Sequence, residues 1–201
     1  MGTRQRILSV VLVLSGSAGT VAQTPPVPEQ SSGQILEELG TIQNFQRSVA
    51  DYVALHRFLE TMVPPLRVTT DVGEIQWSVR ALGMRIQAAR ATARQGDMIT
   101  PEVARMFRRI ATCLTPEEWK AVFDDQRRDE EDESLEPPPL VVNMEWPERV
   151  PFGFVPPQLL QALPALPREL QYRIIGRSLV LWDHHANLIV DFLPGAFVPT
   201  T

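Results

Sequence analysis

The densest group of chemistry-bearing residues in the chain is Asp183-His184-His185, a carboxylate and two imidazoles in consecutive positions, with Asp191 following on the next strand. Imidazole nitrogens and carboxylate oxygens are the donors of zinc and related divalent sites. Neighbouring residues of a strand point to opposite faces, so these three share one ion only if a turn rotates them. A zinc site also wants three or four ligands, and the one other histidine, His56, falls on the first helix. The tripeptide therefore reads first as an Asx-stabilised turn with exposed imidazoles. Asp183, His184 and His185 stand beside that reading as the candidate metal ligands.

Other potential chemistry is thinner. Cys113 is the sole cysteine. It follows Ile110 at helical spacing and has no histidine near it to serve as an activating base, so it reads as a small hydrophobe in a helix interface. The acidic run after Phe123 suggests a calcium loop until its register is tested. With Asp125 at the first loop position, Arg127 falls at the third and Glu130 at the sixth, where a sharp turn needs glycine. No Gly-x-Ser-x-Gly elbow, His-Glu-x-x-His pair or glycine-rich phosphate loop occurs. The acid pair Glu130 and Asp132 lies where nothing separates the two pKa values, as acid–base work requires. The expectation is a protein that is not an enzyme and uses no cofactor. Arg90, Arg94, Arg105, Arg108 and Arg109 read as surface residues that satisfy helix carbonyls or pair with Asp97 and Glu102, with an anion-binding patch as the alternative.

The elements that would position these residues follow an export signal. Arg4 and Arg6 precede the apolar run Ile7–Leu14, and small residues lead to Thr20-Val21-Ala22, the order of a secretory signal peptide over residues 1–22. The apolar run is eight residues long, far short of the roughly 20 that cross a bilayer, so cleavage after Ala22 is expected, with no transmembrane anchor left behind. Loss of the two arginines takes the formal charge from −5 to −7, with 17 basic residues against 24 acidic ones. That balance speaks against nucleic acid as a partner, because such affinity comes chiefly from neutralised phosphates. One thiol closes no internal disulfide, so the exported fold must rest on packing.

Residues 23–33 are rich in proline, serine and glutamine and read as a flexible linker. Residues 34–128 carry four helical patterns. The first has apolar residues at Leu39, Ile42, Phe45, Val49, Tyr52/Val53, Leu59 and Met62, with Ser31 and Gln34 as a capping box and Pro64-Pro65 as its stop. The second runs from Asp71 through Ile75, Val79, Leu82, Ile86, Ala89 and Ala93 to a cap at Gly96. Thr100-Pro101-Glu102 and Thr115-Pro116-Glu117-Glu118 open the third and fourth. Residues 129–139 are an acidic and proline linker. Residues 140–201 form a small strand-rich module: a short strand near Leu140–Met144, a brief helix over Pro157–Leu163, and strands Leu170–Ile175, Leu179–Trp182 and Leu188–Phe192 joined by tight turns. The fold class is α+β, an antiparallel helical bundle of about four helices followed by a β-hairpin or meander. So few strands need cover, so the module is expected to pack on the bundle.

Leu170-Gln-Tyr-Arg-Ile-Ile-Gly-Arg-Ser-Leu-Val-Leu-Trp-Asp-His-His-Ala-Asn-Leu-Ile-Val-Asp-Phe192 resembles the closing segment of a group of uncharacterised exported bacterial proteins. Ala88–Asp97 followed by Thr100-Pro-Glu-Val-Ala looks like the helical part of the same group. The resemblance implies a periplasmic or secreted bacterial protein and no assigned activity. A fainter likeness of the strand–Asp–strand hairpin, to small periplasmic proteins of nickel and cobalt homeostasis, carries no ligand residue over. The expected function is non-catalytic binding of an envelope or periplasmic protein, with the segment Pro147–Pro167 and an exposed hairpin as candidate contact surfaces and cover for the bundle as the alternative role of the same residues. Periplasmic divalent-metal binding is the alternative, and an uncharacterised enzyme the third. A compact monomer is expected if the helical seam closes within the chain, and a homodimer if it closes between chains.

Overall fold

The computed structural model describes residues 32–64, 70–129 and 136–197. The export signal, most of the linker after it, the Ser31 cap and the centre of the acidic run lie outside the described residues. The start signals act where their chemistry places them. Thr100 caps the helix Pro101–Ile110 (α3) by accepting from the Val103 amide, with Pro101 at the position whose missing N–H costs nothing. Thr115 and Glu118 exchange the two bonds of a capping box: the Thr115 amide donates to Glu118 at 2.8 Å and the Glu118 amide to the Thr115 hydroxyl at 3.2 Å. Including α3 and a 3₁₀ turn over Ala111–Cys113, the helices are α1 (Ser32–Glu60), α2 (Val72–Ala89, capped by Asp71), α4 (Pro116–Asp129) and α5 (Pro157–Ala162). Together with a C-terminal sheet they make an α+β fold. Among the described residues, no helix is long and apolar enough to cross a membrane.

Strands β1 (Leu170–Ile175), β2 (Ser178–Asp183) and β3 (Leu188–Leu193) form an antiparallel meander in the order β1-β2-β3. The two turns fall where Gly176-Arg177 and Asp183–Asn187 predict them. Gly176 and Asn187 take the positive φ that tight turns require. A register shift at Leu181/Trp182 bends the end of β2 just before Asp183.

The sheet is buried on both faces, which corrects the expectation of an exposed hairpin. One face, with Tyr172, Ile174, Leu181 and Leu188, joins Phe45, Val49, Ile86 and Phe107 of the helices in a common core. The other face, with Val180 and Ile189, is covered by Trp146, Val150 and Phe152. Leu140–Met144 forms no strand, since Pro137-Pro138-Pro139 and the turn at Asn143 (φ 64°) prevent a regular ladder. It nonetheless protects the edge of β3: the Asn143 amide donates to Ile189 O at 2.7 Å and the Ile189 amide to Met144 O at 3.0 Å. Gly153 does the same for β1, through its amide to Ile174 O.

α1 packs against α2 and α3, and the core continues from these helices into the sheet. Ser32–Thr201 is one compact unit. Gly83 lets α2 approach the β2–β3 turn, since a Cβ there would stand 3.0 Å from Ala186 O. Two local expectations change. α2 ends at Ala89, so Ala93 lies beyond it, and Gly96 serves the loop before α3, not the cap of α2. Cys113 is exposed and does not line the helix interface. The switch to three residues per turn at Ala111 rotates it outward and turns Ala111 and Leu114 inward.

Candidate functional site

Tyr52, His56 and Glu60 lie four residues apart on α1 and so share one stripe of it. Tyr52 and His56 face the core, whereas Glu60 sits half-exposed at the end of the helix. From the opposite side the bent end of β2 delivers Asp183, which is fully buried. Asp183 Oδ2 accepts from the Tyr52 hydroxyl at 2.6 Å and meets His56 Nδ1 at 2.6 Å. Asp183 Oδ1 accepts from the amides of His185 and Ala186, each at 3.0 Å, which is the Asx turn that the local sequence predicts.

An ionised carboxylate only accepts, so His56 Nδ1 carries the proton in this pair. Burial opposes the Asp183 charge, but the bonds from His56 and Tyr52 prevail and hold its pKa below the usual carboxylate value. Burial likewise opposes a charge on His56, and Asp183 outweighs it and raises the pKa. Tyr52 is pushed well above its ordinary value, first by burial and then by Asp183.

The other edge of the His56 ring is the chemically open one. His56 Nε2 is buried and has no hydrogen-bond partner; Glu60 Oε2 stands 3.9 Å from it. The His185 ring lies beside it, with centroids 5.6 Å apart. One donor atom each from His56, Glu60 and His185 falls within 4.8 Å of the others. Burial and the neighbouring His184 push the His185 pKa down, which favours its neutral, lone-pair form.

Glu169 adds a further buried carboxylate. Its Oε1 takes Arg57 at 2.8 Å and Arg168 at 3.4 Å, while its Oε2 is unpartnered. Burial works against its charge, but Arg57 prevails and takes the pKa down to about 2.

The three hairpin candidates thus have three different roles. Asp183 spends both oxygens on protein donors and orients His56. His184 Nε2 is engaged by Arg168 O at 2.6 Å. Only His185 is placed beside other ligand types, and both imidazoles are half-buried where the turn reading had them exposed. Asp191, expected near the turn, faces away to the loop before α3: its carboxylate takes the amides of Gly96, Met98 and Ile99 at 2.8 to 2.9 Å. Tyr52, His56 and Glu60 were missing from the sequence-based site. Their signal was a gap, since the apolar stripe of α1 passes from Val53 to Leu59 and a histidine fills the intervening buried step.

The remaining candidates resolve simply. Arg90 lies across the Tyr52 ring (4.9 Å to the centroid) and donates to Asn143 Oδ1 and Val190 O, tying α2 to β3. Arg105 pairs with Glu102 and Arg109 with Glu38. α4 runs on through Asp125 to Asp129, which leaves no loop starting at Asp125. Burial, with Glu118 adding, raises the Cys113 pKa, the reverse of an activated thiolate.

A separate groove of about 400 Å³ lies between Ile75, Val79 and Arg80 of α2 and an aromatic wall made by Trp182 of β2 with Trp146 and Phe152 from the segment that covers the sheet. Glu145 and Glu148 stand at its rim, in contact with Arg80 and Gln76 respectively. The chain is thus an α+β protein with a buried Asp–His–Tyr cluster and an apolar surface groove. No family model, curated protein or solved structure matches it.

Proposed function

We propose that the protein is exported and acts in the periplasm or cell envelope as a non-catalytic binding protein whose partner is another envelope protein. The groove carries this reading. Its walls combine apolar α2 positions with Trp146, Phe152 and Trp182, and charged groups of both signs rim it, the composition of a protein-recognition surface. Trp77, Val72 and Met84 expose further apolar surface on the same helix. The contact of α1 with both α2 and α3 supports an antiparallel bundle as the scaffold behind it.

The test is in-cell crosslinking of the tagged full chain, with the envelope fractions analysed by mass spectrometry, in wild type and in Ile75→Asp/Val79→Asp. Both positions are accessible on α2, and a circular dichroism spectrum checks that the variant folds. One reproducible partner, lost in the folded variant, is the expected result. No reproducible partner, or one captured equally by the variant, overturns the reading.

A further inference from the structure

We propose that His56 Nε2, a Glu60 carboxylate oxygen and a His185 ring nitrogen bind a divalent late transition metal such as Zn²⁺, with Asp183 holding His56 in its ligating orientation. The inference is independent of any partner in the groove.

Three observations carry it. First, the donors converge: one atom from each residue lies within 4.8 Å of the others, and His56 Nε2 is already 3.9 Å from Glu60 Oε2. Bonds of about 2.0–2.2 Å to one ion bring such donors closer still. Glu60 is half-exposed and His185 half-buried, so both retain side-chain freedom to make that closure.

Second, the bond from Nδ1 to Asp183 commits one ring nitrogen of His56 and directs the other, Nε2, toward Glu60. Asp183 Oδ2 already accepts from Tyr52 and requires a donor at His56 Nδ1, so neutral His56 presents an unshared pair at Nε2. That atom is fully buried, has no hydrogen-bond partner and faces the Glu60 carboxylate 3.9 Å away. A buried ring nitrogen that faces a carboxylate calls for a positive centre between the two, a proton on Nε2 or a metal ion in its place. A hydrogen bond from the non-ligating nitrogen to a carboxylate is also how proteins fix the tautomer of a metal-bound histidine.

Third, the donor set selects the metal. Two imidazoles and one carboxylate suit zinc and its late first-row neighbours, whereas calcium and magnesium want oxygen donors. Three protein ligands leave a fourth position for water or an exogenous ligand.

The site spans α1 and the β2–β3 turn, so an ion there would tie the helix to the hairpin. His184, next in sequence, is engaged by Arg168 O and stays outside the set.

The experiment titrates Zn²⁺ into the purified, chelator-stripped full chain and reads stoichiometry by calorimetry. A Co²⁺ titration follows the visible bands of a four-coordinate ion. Wild type is expected to take one equivalent. Glu60→Gln and His185→Ala each weaken binding at least tenfold, while His184→Ala leaves it unchanged. His56→Ala removes a fully buried side chain and risks the fold, so the two accessible ligands carry the test. Failure of wild type to bind one equivalent would mean a hydrogen-bonded cluster only. Binding that survives both Glu60→Gln and His185→Ala, or that is lost in His184→Ala, would equally overturn the assignment. The groove variant Ile75→Asp/Val79→Asp is expected to bind the metal normally, which separates failure of this site from failure of the partner reading.

Discussion

Asp183 and Asp191 are two buried aspartates on adjacent strands of one hairpin, and they do different work. Asp191 takes backbone amides: Gly96, Met98 and Ile99 from the loop before α3, and that of its own neighbour Phe192. Asp183 takes two amides on one oxygen and two side chains, Tyr52 and His56, on the other. Amide donors are present in every sequence that follows this path, so Asp191 fixes where a loop runs. Gly96, at φ 92°, lets that loop turn its amides inward. Side-chain donors are specific and can change state, so Asp183 sets the tautomer of a histidine whose other nitrogen remains open. Equal burial therefore does not imply equal function; the nature of the donors separates an anchor from a site.

The largest effect is expected at the anchor. Asp191→Ala strands three loop amides, two of them on the buried residues Met98 and Ile99, at about 1–3 kcal/mol for each one left unsatisfied. The loss should total about 3–5 kcal/mol, measured by urea unfolding. Whatever fraction folds should bind Zn²⁺ as wild type does; weakened metal binding in that folded fraction would collapse the distinction.

Asp183→Asn should cost less, about 2–3 kcal/mol, because an amide oxygen can still accept some of the same bonds. Its signature should be in ligand binding. Without a carboxylate to hold its orientation, His56 should lose metal affinity by roughly 10–100-fold in the same Zn²⁺ titration. Loss of stability with unchanged affinity would make Asp183 a second anchor.

The smallest effect sharpens the comparison with a third buried carboxylate. Glu169 has its pKa lowered from 4.5 to about 2 by Arg57. Such a group contributes stability above its unfolded pKa and loses it as pH falls towards the folded one. Chemical denaturation between pH 5 and pH 2.5 should therefore show falling stability, with a smaller slope in Glu169→Gln. An identical slope would remove the ion pair from the acid response.

How much of this was legible before folding depends on the range of the interaction. The capping box at Thr115 and Glu118, the Thr100-Pro101 start and the strand–turn–strand series from Leu170 to Leu193 are set by neighbours a few residues apart. Type and spacing announce them. The burial of Cys113 was misjudged because a single 3₁₀ turn changes the residues per turn, and an apolar pattern with a helical period does not register it. The Asx turn at Asp183 was equally local, and equally readable.

The site was not local. His56 and Asp183 meet across 127 residues, and neither has a neighbour in sequence that announces the other. Only a gap in the apolar stripe of α1 hinted that a histidine was buried there, and a gap carries no address. Local propensity and periodicity were enough to lay out the helices, the turns and the meander, because those interactions close within a few residues. The covering of both sheet faces, the approach of α2 over Gly83 and the meeting of Tyr52, His56, Glu60 and His185 depend on how the apolar faces pack. Burial has no direction along the chain, so packing alone decided which polar residues became neighbours.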